Sequence, residues 1–174
     1  QMGGAFQLLR TYDLLWAPTI GTYLRGERVG VNDLMSWNAD GTRMAYRMHT
    51  DYLHQLYLNN DLAEGRYVAN GEQLELSDIR VPMFVVATET AHVAPWRCVY
   101  KVGKLVRSKD YTFCLTSGGH NAGIISGPVH PRRRHRVLTM KAGSRLPSPA
   151  QYMKKVEPAQ GSWWPTFAAW LAEH

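Results

Sequence analysis

The sequence has little cysteine: Cys98 and Cys114 are the only two among 174 residues. Two cysteines cannot form the disulfide framework of a small secreted protein, so a reducing, cytoplasmic setting is expected. Neither cysteine lies in a Gly-x-Cys-x-Gly segment, the sharp turn that presents a nucleophile between a strand and a helix. Both are therefore predicted to be small buried hydrophobic side chains.

Several other patterns are also absent. No apolar run reaches the ~18 residues that span a bilayer, and the first residues do not form a signal peptide. The seven histidines include no pair at i, i+4 with the glutamate of a zinc protease, so no metal site is predicted. The chain does not begin with methionine, which leads us to expect part of a longer protein.

What is present is a hydrophobic fraction of 45% and an excess of positive charge, with a formal net charge of +6. The hydrophobic fraction and the length suit one folded domain. Part of the charge lies in HPRRRHR, residues 130–136. Such a run can bind nucleic acid or anionic lipid, or attract coenzyme A through pairs between arginine and phosphate. The commoner structure, and the one predicted here, is a solvated surface loop.

Residues 1–60 have the apolar spacing of helices. In FQLLRTYDLLWAPTI, residues 6–20, the helical pattern is predicted to end at Pro18. A second helix is predicted over residues 43–58. It has a stripe of apolar side chains that suits a core or a helix–helix contact, with an acyl channel as the alternative: Met44, Met48, Tyr52 and Leu56.

After residue 65 the pattern changes to that of strands. Asn70-Gly71, within RYVANGEQLEL, predicts a hairpin with a type I′ turn. The apolar runs of residues 81–88 and 111–117 predict two buried strands, separated by a helical pattern in residues 96–106. Strand, helix and strand form one βαβ unit of an α/β fold with parallel strands. A last helix is predicted at the end of the chain, with Pro165 in its first turn.

Two polar loops, residues 88–92 and 118–123, follow the carboxyl ends of the predicted strands, where reactive groups lie in α/β sheets. In an α/β-hydrolase the acid follows the penultimate strand and the histidine follows the last. This order predicts His120 as a catalytic base and position 91 as the acid, although Ala91 occupies it. The two glycines before His120 permit a sharp turn. A histidine in a glycine-rich loop is also commonly an ordinary surface residue.

Five segments occur together in a specific order: LLRTYDLLW, WNADGTRM, ATETAHVAPW, SGGHNAG and GSWWP. On these segments the chain resembles the C-terminal part of polyhydroxyalkanoate synthases, which polymerise (R)-3-hydroxyacyl-coenzyme A into storage polyester. The resemblance extends along essentially the whole chain. The segment HNA, which contains Ala122, is closer to the corresponding segment of the class I-like enzymes that use short-chain monomers, such as poly-3-hydroxybutyrate synthases.

The resemblance implies a fold and a set of site residues. Residues 61–174 would form the C-terminal portion of an α/β-hydrolase core, with the last parallel strands and helices, and residues 1–60 the later part of a helical cap. The family's triad is Cys, Asp and His. His120 falls on the catalytic histidine, His92 on the histidine that follows the aspartate, and Ala91 on the aspartate itself. The cysteine elbow falls outside these 174 residues.

By resemblance, His120 would deprotonate the cysteine and the incoming 3-hydroxyl group, while the acid would orient the imidazole. Ala91 has no carboxylate for that role, and loss of the orienting acid in a protease triad costs roughly 10⁴-fold in turnover. Glu89 is expected to lie at the wrong depth to replace the acid, and His92 brings no negative charge. The site is therefore expected to be inactive as given.

Three functions stay open from the sequence: a polyester synthase segment, a thioesterase or esterase of the same fold, and a non-catalytic module that binds a granule or a partner. Trp163 and Trp164 would serve the module, but they are better explained as anchors of the last helix. The resemblance implies the cysteine-bearing part of the synthase, a second copy contacting the cap, and the cytoplasmic granule surface as partners. No nucleic acid and no cofactor besides the acyl-coenzyme A substrate are expected.

Overall fold

The computed structural model describes residues 8, 11–28, 30, 33, 36, 37, 40–130 and 132–174. The contacts divide the chain into two compact units, Gln1–Tyr46 and Arg47–His174. The division at residue 60 between cap and core, which the family resemblance implies, stays a prediction. The start of the first predicted helix, at residues 6 and 7, lies outside the described residues.

In the first unit, three helical stretches follow one another directly: Tyr12–Trp16, α1 (Ala17–Thr19) and Ile20–Leu24. The prediction that Pro18 ends the helix is wrong, because the helical turns continue to Leu24. The stretches on both sides of α1 have wide, π-type turns, which accommodate a residue that lacks an N–H donor. The Thr19 hydroxyl also donates to the Leu15 carbonyl at 2.6 Å, which adds a hydrogen bond across the proline.

The helix predicted over residues 43–58 is present. It consists of α2 (Tyr46–Asp51) and a continuation with wider turns, Tyr52–Leu58. Met44, Met48 and Tyr52 are exposed and Leu56 is only half-buried, so the apolar stripe does not form a core face within this chain. The prediction of a core face is wrong for these residues, whereas a helix–helix contact with a segment outside this chain stays a prediction.

The predicted hairpin is confirmed. Strands β1 (Tyr67–Ala69) and β2 (Glu72–Leu74) pair antiparallel, and Ala69 lies opposite Glu72. The two residues between them have positive φ angles, 51° at Asn70 and 83° at Gly71. These are the angles that a two-residue type I′ turn requires.

The main sheet contains four strands in the order β3 (Met83–Thr88), β4 (Asp110–Thr116), β5 (Arg134–Lys141) and β6 (Ala159–Gln160). Strands β3 and β4 are parallel, while β5 and β6 each pair antiparallel with the preceding strand. The predicted α/β fold class is confirmed as a partial α/β fold with a mixed sheet. The expectation that β4 is the last strand is wrong, because β5 and β6 follow it.

The sequence pattern missed β5 because a basic run does not resemble a buried strand. Three residues of HPRRRHR lie in β5, so the predicted solvated loop is wrong for them. His135 is buried, with its ring nitrogens 3.1 Å from the Gly161 carbonyl and 3.3 Å from the Thr166 hydroxyl. The Arg136 guanidinium donates to the Val156 carbonyl. These internal hydrogen bonds allow polar side chains to occupy a strand.

The helices that accompany the sheet are α3 (Trp96–Val99), α4 (His120–Ile124), α5 (Pro149–Lys155) and α6 (Trp164–Glu173). On one face of the sheet, the Phe113 ring lies 4.7 Å from Tyr100 and 5.4 Å from Tyr152, between centroids. On the other face, the Phe84 ring lies 5.1 Å from Phe167 and 5.6 Å from Trp170. The sheet is therefore covered on both faces, and every residue of β4 is buried.

Candidate active site

The carboxyl ends of β3 and β4 lie at the same edge of the sheet, because the strands are parallel and Thr88 pairs with Thr116. The two loops beyond this edge remain side by side. The Glu89 N–H donates to the Thr116 carbonyl at 2.9 Å, and the Thr90 N–H donates to the Gly118 carbonyl at 3.1 Å. The loop that contains Ala91 is thus held next to the turn that leads to His120.

His120 is the first residue of α4, and its side chain is exposed. The turn before it requires glycine, because Gly118 has a φ angle of 104°. Gly123 lets α4 approach β3 closely, since a Cβ there would lie 2.5 Å from Cγ2 of Thr88. The sharp turn predicted before His120 is therefore present, and it places the histidine at the predicted edge.

Ala91 and His92 both lie in the loop after β3. Ala91 is half-buried and presents a methyl group, and His92 is exposed. No carboxylate stands at position 91, so nothing at that position can orient an imidazole through a charged hydrogen bond. The roles assigned to Ala91, His92 and His120 stay predictions.

Glu89, the carboxylate nearest in sequence to Ala91, is paired with an arginine. Its Oε2 lies 2.7 Å from Nη2 of Arg134, and the Glu89 side chain is 19% exposed. A carboxylate in a charge-assisted hydrogen bond with a guanidinium has a partner that imidazole would have to displace. The pair thus supports the view that Glu89 does not replace the acid at position 91.

We expect Glu89→Gln to change the residual turnover of a complete enzyme by less than about twofold. The pair is partly solvated, and such pairs contribute about 0.2–1 kcal/mol to stability. Arg134→Gln is the matched control, because it removes the other half of the pair. A loss of tenfold or more in Glu89→Gln alone, measured as coenzyme A release, would make Glu89 the working acid.

The two cysteines differ in environment. Cys114, in the middle of β4, is fully buried, as predicted, and burial raises the pKa of its thiol to about 12. The prediction of burial is wrong for Cys98, which is exposed. A thiol must ionise to act as a nucleophile, and burial of Cys114 opposes the thiolate. The burial of Cys114 therefore argues against a role as the acyl acceptor.

We accordingly expect Cys114→Ala to retain the turnover of a complete enzyme within about twofold. The substitution deletes one buried sulfur atom, so a modest fall in the melting temperature is the main effect. Coenzyme A release and thermal unfolding measure the two quantities. A variant that unfolds like the parent but has lost turnover would show that Cys114 takes part in the chemistry.

Most of the basic run is bound within the chain. The Arg133 guanidinium donates to the Ser117 carbonyl at 3.3 Å, and Arg134 and Arg136 have the partners given above. These contacts leave Arg132 as the exposed arginine of the run without a described side-chain partner. The run therefore fixes the His120 turn against β5 rather than forming a free anion-binding surface.

Two absences apply to the part of the chain that the structure describes. No group of three His, Cys, Asp or Glu side chains there is placed to hold a metal ion. No helix in that part is both long and apolar enough to cross a membrane.

Trp163 and Trp164, predicted from the sequence only as anchors of the last helix, also contact the helix that bears His120. The indole Nε1 atoms of Trp163 and Trp164 donate to the Ile124 carbonyl, at 3.2 and 2.9 Å. Trp163 is buried, as expected of a core anchor, and Trp164 is 39% exposed. The segment GSWWP was visible in the sequence, but nothing in it indicates a contact with a residue about 40 positions earlier.

No family model matches the chain. Curated relatives nevertheless match it along nearly its whole length. The poly(3-hydroxyalkanoate) polymerase subunit PhaC of Rhizobium etli is 32% identical over 100% of this chain and 27% of its own length. The poly(3-hydroxyalkanoate) polymerase of Methylorubrum extorquens is 35% identical over 99% of this chain and 28% of its own. The PhaC subunit of Cupriavidus necator is 33% identical over 99% of this chain and 28% of its own length.

The chain thus spans little more than a quarter of the length of these relatives. The identity is not confined to one motif, because each alignment extends along essentially all 174 residues. The same kind of polymerase recurs in all three organisms. The chain therefore belongs to the poly(3-hydroxyalkanoate) polymerase family, in which it corresponds to a C-terminal segment.

Proposed function

We propose that this chain supplies the histidine-bearing part of a polyester synthase that joins (R)-3-hydroxyacyl groups from coenzyme A thioesters. The observation that carries the proposal is the position of His120. It lies exposed at the carboxyl edge of two parallel strands, beside the loop that contains Ala91. By the family resemblance, position 91 is where the acid would stand. This arrangement suits a base whose orienting partner has been lost.

The proposed chemistry uses a cysteine outside these 174 residues. His120 takes the thiol proton, and the thiolate attacks the thioester carbonyl. The carbon–sulfur bond to coenzyme A breaks, and the proton leaves with the coenzyme A thiol. In the next step His120 takes the proton of a 3-hydroxyl group, whose oxygen attacks the acyl-enzyme carbonyl. An ester bond forms as the carbon–sulfur bond to the cysteine breaks, and the released thiolate takes the proton from His120. The polymer grows by one unit without any further cofactor.

Ala91 would leave this scheme without the acid that holds the imidazole in its productive tautomer and stabilises its protonated form. We therefore propose that the chain is inactive, or nearly so, as given. His92 follows in the same loop and is neutral or positive, so it offers no substitute for a negative charge. Glu89 is engaged with Arg134.

The test uses a chimera, defined as the Methylorubrum extorquens polymerase with its matching segment replaced by this chain and Ala91 changed to aspartate. Hydroxybutyryl-coenzyme A is the substrate. Free coenzyme A is followed with a thiol reagent, and polymer is quantified as insoluble ester after washing. The unaltered polymerase provides the positive control for the assay.

Coenzyme A release together with insoluble polymer supports the synthase. Release of coenzyme A with only monomeric hydroxy acid would show a hydrolase instead and would overturn the proposal. The melting temperature shows whether the chimera folds. If the chimera folds but releases no coenzyme A, only a binding role remains. The three outcomes differ in measured products and do not overlap.

We further propose that the working protein is a homodimer through the cap and acts at the surface of cytoplasmic polyester granules. The exposed apolar side chains of Met44, Met48 and Tyr52 support the first point, because a second copy or another part of the synthase would remove them from water. Light scattering of the chimera measures the dimer, and sedimentation with isolated granules measures the surface association. A monomer that stays in solution would contradict both.

A further inference from the structure

Helix α4, which begins with His120, is too short to be stable by itself. It contains five residues, and isolated helices of this length do not form in water because nucleation is costly. Its position must therefore come from contacts with the rest of the chain. Its last carbonyl groups also need donors from outside the helix.

At the carboxyl end of α4, two indoles supply these donors. Nε1 of Trp163 lies 3.2 Å and Nε1 of Trp164 lies 2.9 Å from the Ile124 carbonyl oxygen. A carbonyl oxygen has two lone pairs, so both hydrogen bonds can form at once. Two neighbouring tryptophans that donate to one carbonyl form a redundant attachment.

The segment that carries the indoles is itself fixed. The Ser162 hydroxyl donates to the Ser126 carbonyl at 2.5 Å and accepts from the Trp164 N–H at 3.1 Å. The Trp163 ring is stacked on Phe84 of β3, with centroids 6.2 Å apart. The indoles are thus attached both to the loop after α4 and to the strand that precedes Ala91.

The other side of α4 rests on the ends of the strands. The Thr116 hydroxyl donates to the Gly123 carbonyl at 3.3 Å, and Gly123 lies against Thr88 with no room for a side chain. The helix is held between the strand ends and the indoles. Any shift of Ile124 would therefore shift His120 relative to position 91.

We propose that Trp163 and Trp164 are positioning residues that hold α4 so that His120 faces the acid position. The role rests on the proposed function, since it concerns the base of that reaction. The indoles touch the backbone of α4 and not the reacting groups. Their effect is on the geometry of the base, where a displacement of about 1 Å can cost on the order of 100-fold in rate.

The test uses the chimera that contains Ala91→Asp, with Trp163→Phe and Trp164→Phe made singly and together. Phenylalanine keeps an aromatic ring and removes the N–H donor. We expect each single variant to retain kcat within about threefold, because the other indole still donates. The double variant should lose about 10- to 100-fold in kcat with KM within twofold, a non-additive effect.

Trp170→Phe is the matched control. Trp170 lies in α6, the helix that begins with Trp164, and its Nε1 is buried without a hydrogen-bond partner among the described residues. The same change of ring should therefore leave kcat unaltered. An equal loss of kcat in Trp170→Phe and in the double variant would indicate damage to α6 and would overturn the positioning role.

Hydrogen exchange gives a reading that does not depend on activity. The Gly123 N–H donates to the Gly119 carbonyl at 2.8 Å, and the Ile125 N–H, just after α4, donates to the Asn121 carbonyl at 2.9 Å, so both amides report on the turns of α4. We expect them to exchange at least tenfold faster in the double variant than in Trp170→Phe. Unchanged exchange would overturn the inference, as would faster exchange with kcat unchanged.

If the parent chimera itself releases no coenzyme A, the proposed function fails and the positioning role fails with it. The exchange data still show whether the indoles hold α4.

Discussion

Replacing Ala91 by aspartate is expected to raise the rate of coenzyme A release by roughly 10⁴-fold, the scale set by loss of the orienting acid in a protease triad. The loop that carries position 91 lies beside the turn before His120, through hydrogen bonds from Glu89 and Thr90. A carboxylate there would accept the imidazole N–H and stabilise the positive charge that forms when the base takes a proton. The measurement compares initial rates in the chimera with alanine and with aspartate at position 91.

Ala91→Asn is the matched control for size and polarity. Asparagine has the shape of aspartate but no charge, and it can bind the unproductive tautomer of the histidine. The asparagine variant should therefore stay within about tenfold of the alanine protein. Equal gains from aspartate and asparagine would show that filling the space is sufficient. An unchanged rate with aspartate, in a protein that folds normally, together with no loss from the reverse substitution in the parent polymerase, would show that position 91 is not the acid position.

The reverse substitution, made in the parent polymerase, distinguishes a defect at position 91 from a defect elsewhere in this chain. In the Methylorubrum extorquens polymerase, the residue that aligns with Ala91 is expected to be the family's aspartate. Changing it to alanine should lower turnover by a similar factor. A large loss there together with no gain in the chimera would place the defect elsewhere in these 174 residues.

The features that the sequence predicted correctly are those set by local pattern. The Asn70-Gly71 turn follows from the φ angles that few other residues adopt. Strands β3 and β4 follow from continuous apolar runs. Because these strands are consecutive and separated by a helix, their parallel pairing and shared carboxyl edge also follow.

The features that the sequence did not predict depend on contacts between distant residues. Arg134 and His135 can occupy a strand because their side chains bind Glu89 and the Gly161 carbonyl. These partners lie 45 and 26 positions away, so a local pattern cannot reveal them. The link from the tryptophans to Ile124 is of the same kind. Pro18 shows a different limit, since whether a proline ends a helix depends on the width of the turns around it.

Replacing His120 by alanine in the chimera that carries Ala91→Asp is expected to lower turnover by at least 10³-fold. The base would be absent for both proton transfers, from the cysteine thiol and from the 3-hydroxyl group. Initial rates of coenzyme A release measure the loss, and the melting temperature checks the fold. His120 is exposed, so its removal should change stability little.

His92→Ala is the matched control, because His92 is also an exposed histidine at the same edge of the sheet. We expect it to lose no more than about tenfold. A His120→Ala variant with the full rate would remove His120 from the mechanism.

A double-mutant cycle that combines Ala91→Asp with His120→Ala gives the sharpest form of this prediction. Groups that act as one unit show strongly non-additive losses. In the His120→Ala background, Ala91→Asp should therefore give no gain, although it gives roughly 10⁴-fold when His120 is present. A gain of similar size in both backgrounds would mean that the carboxylate acts on something other than the imidazole, and the two residues would no longer constitute one site.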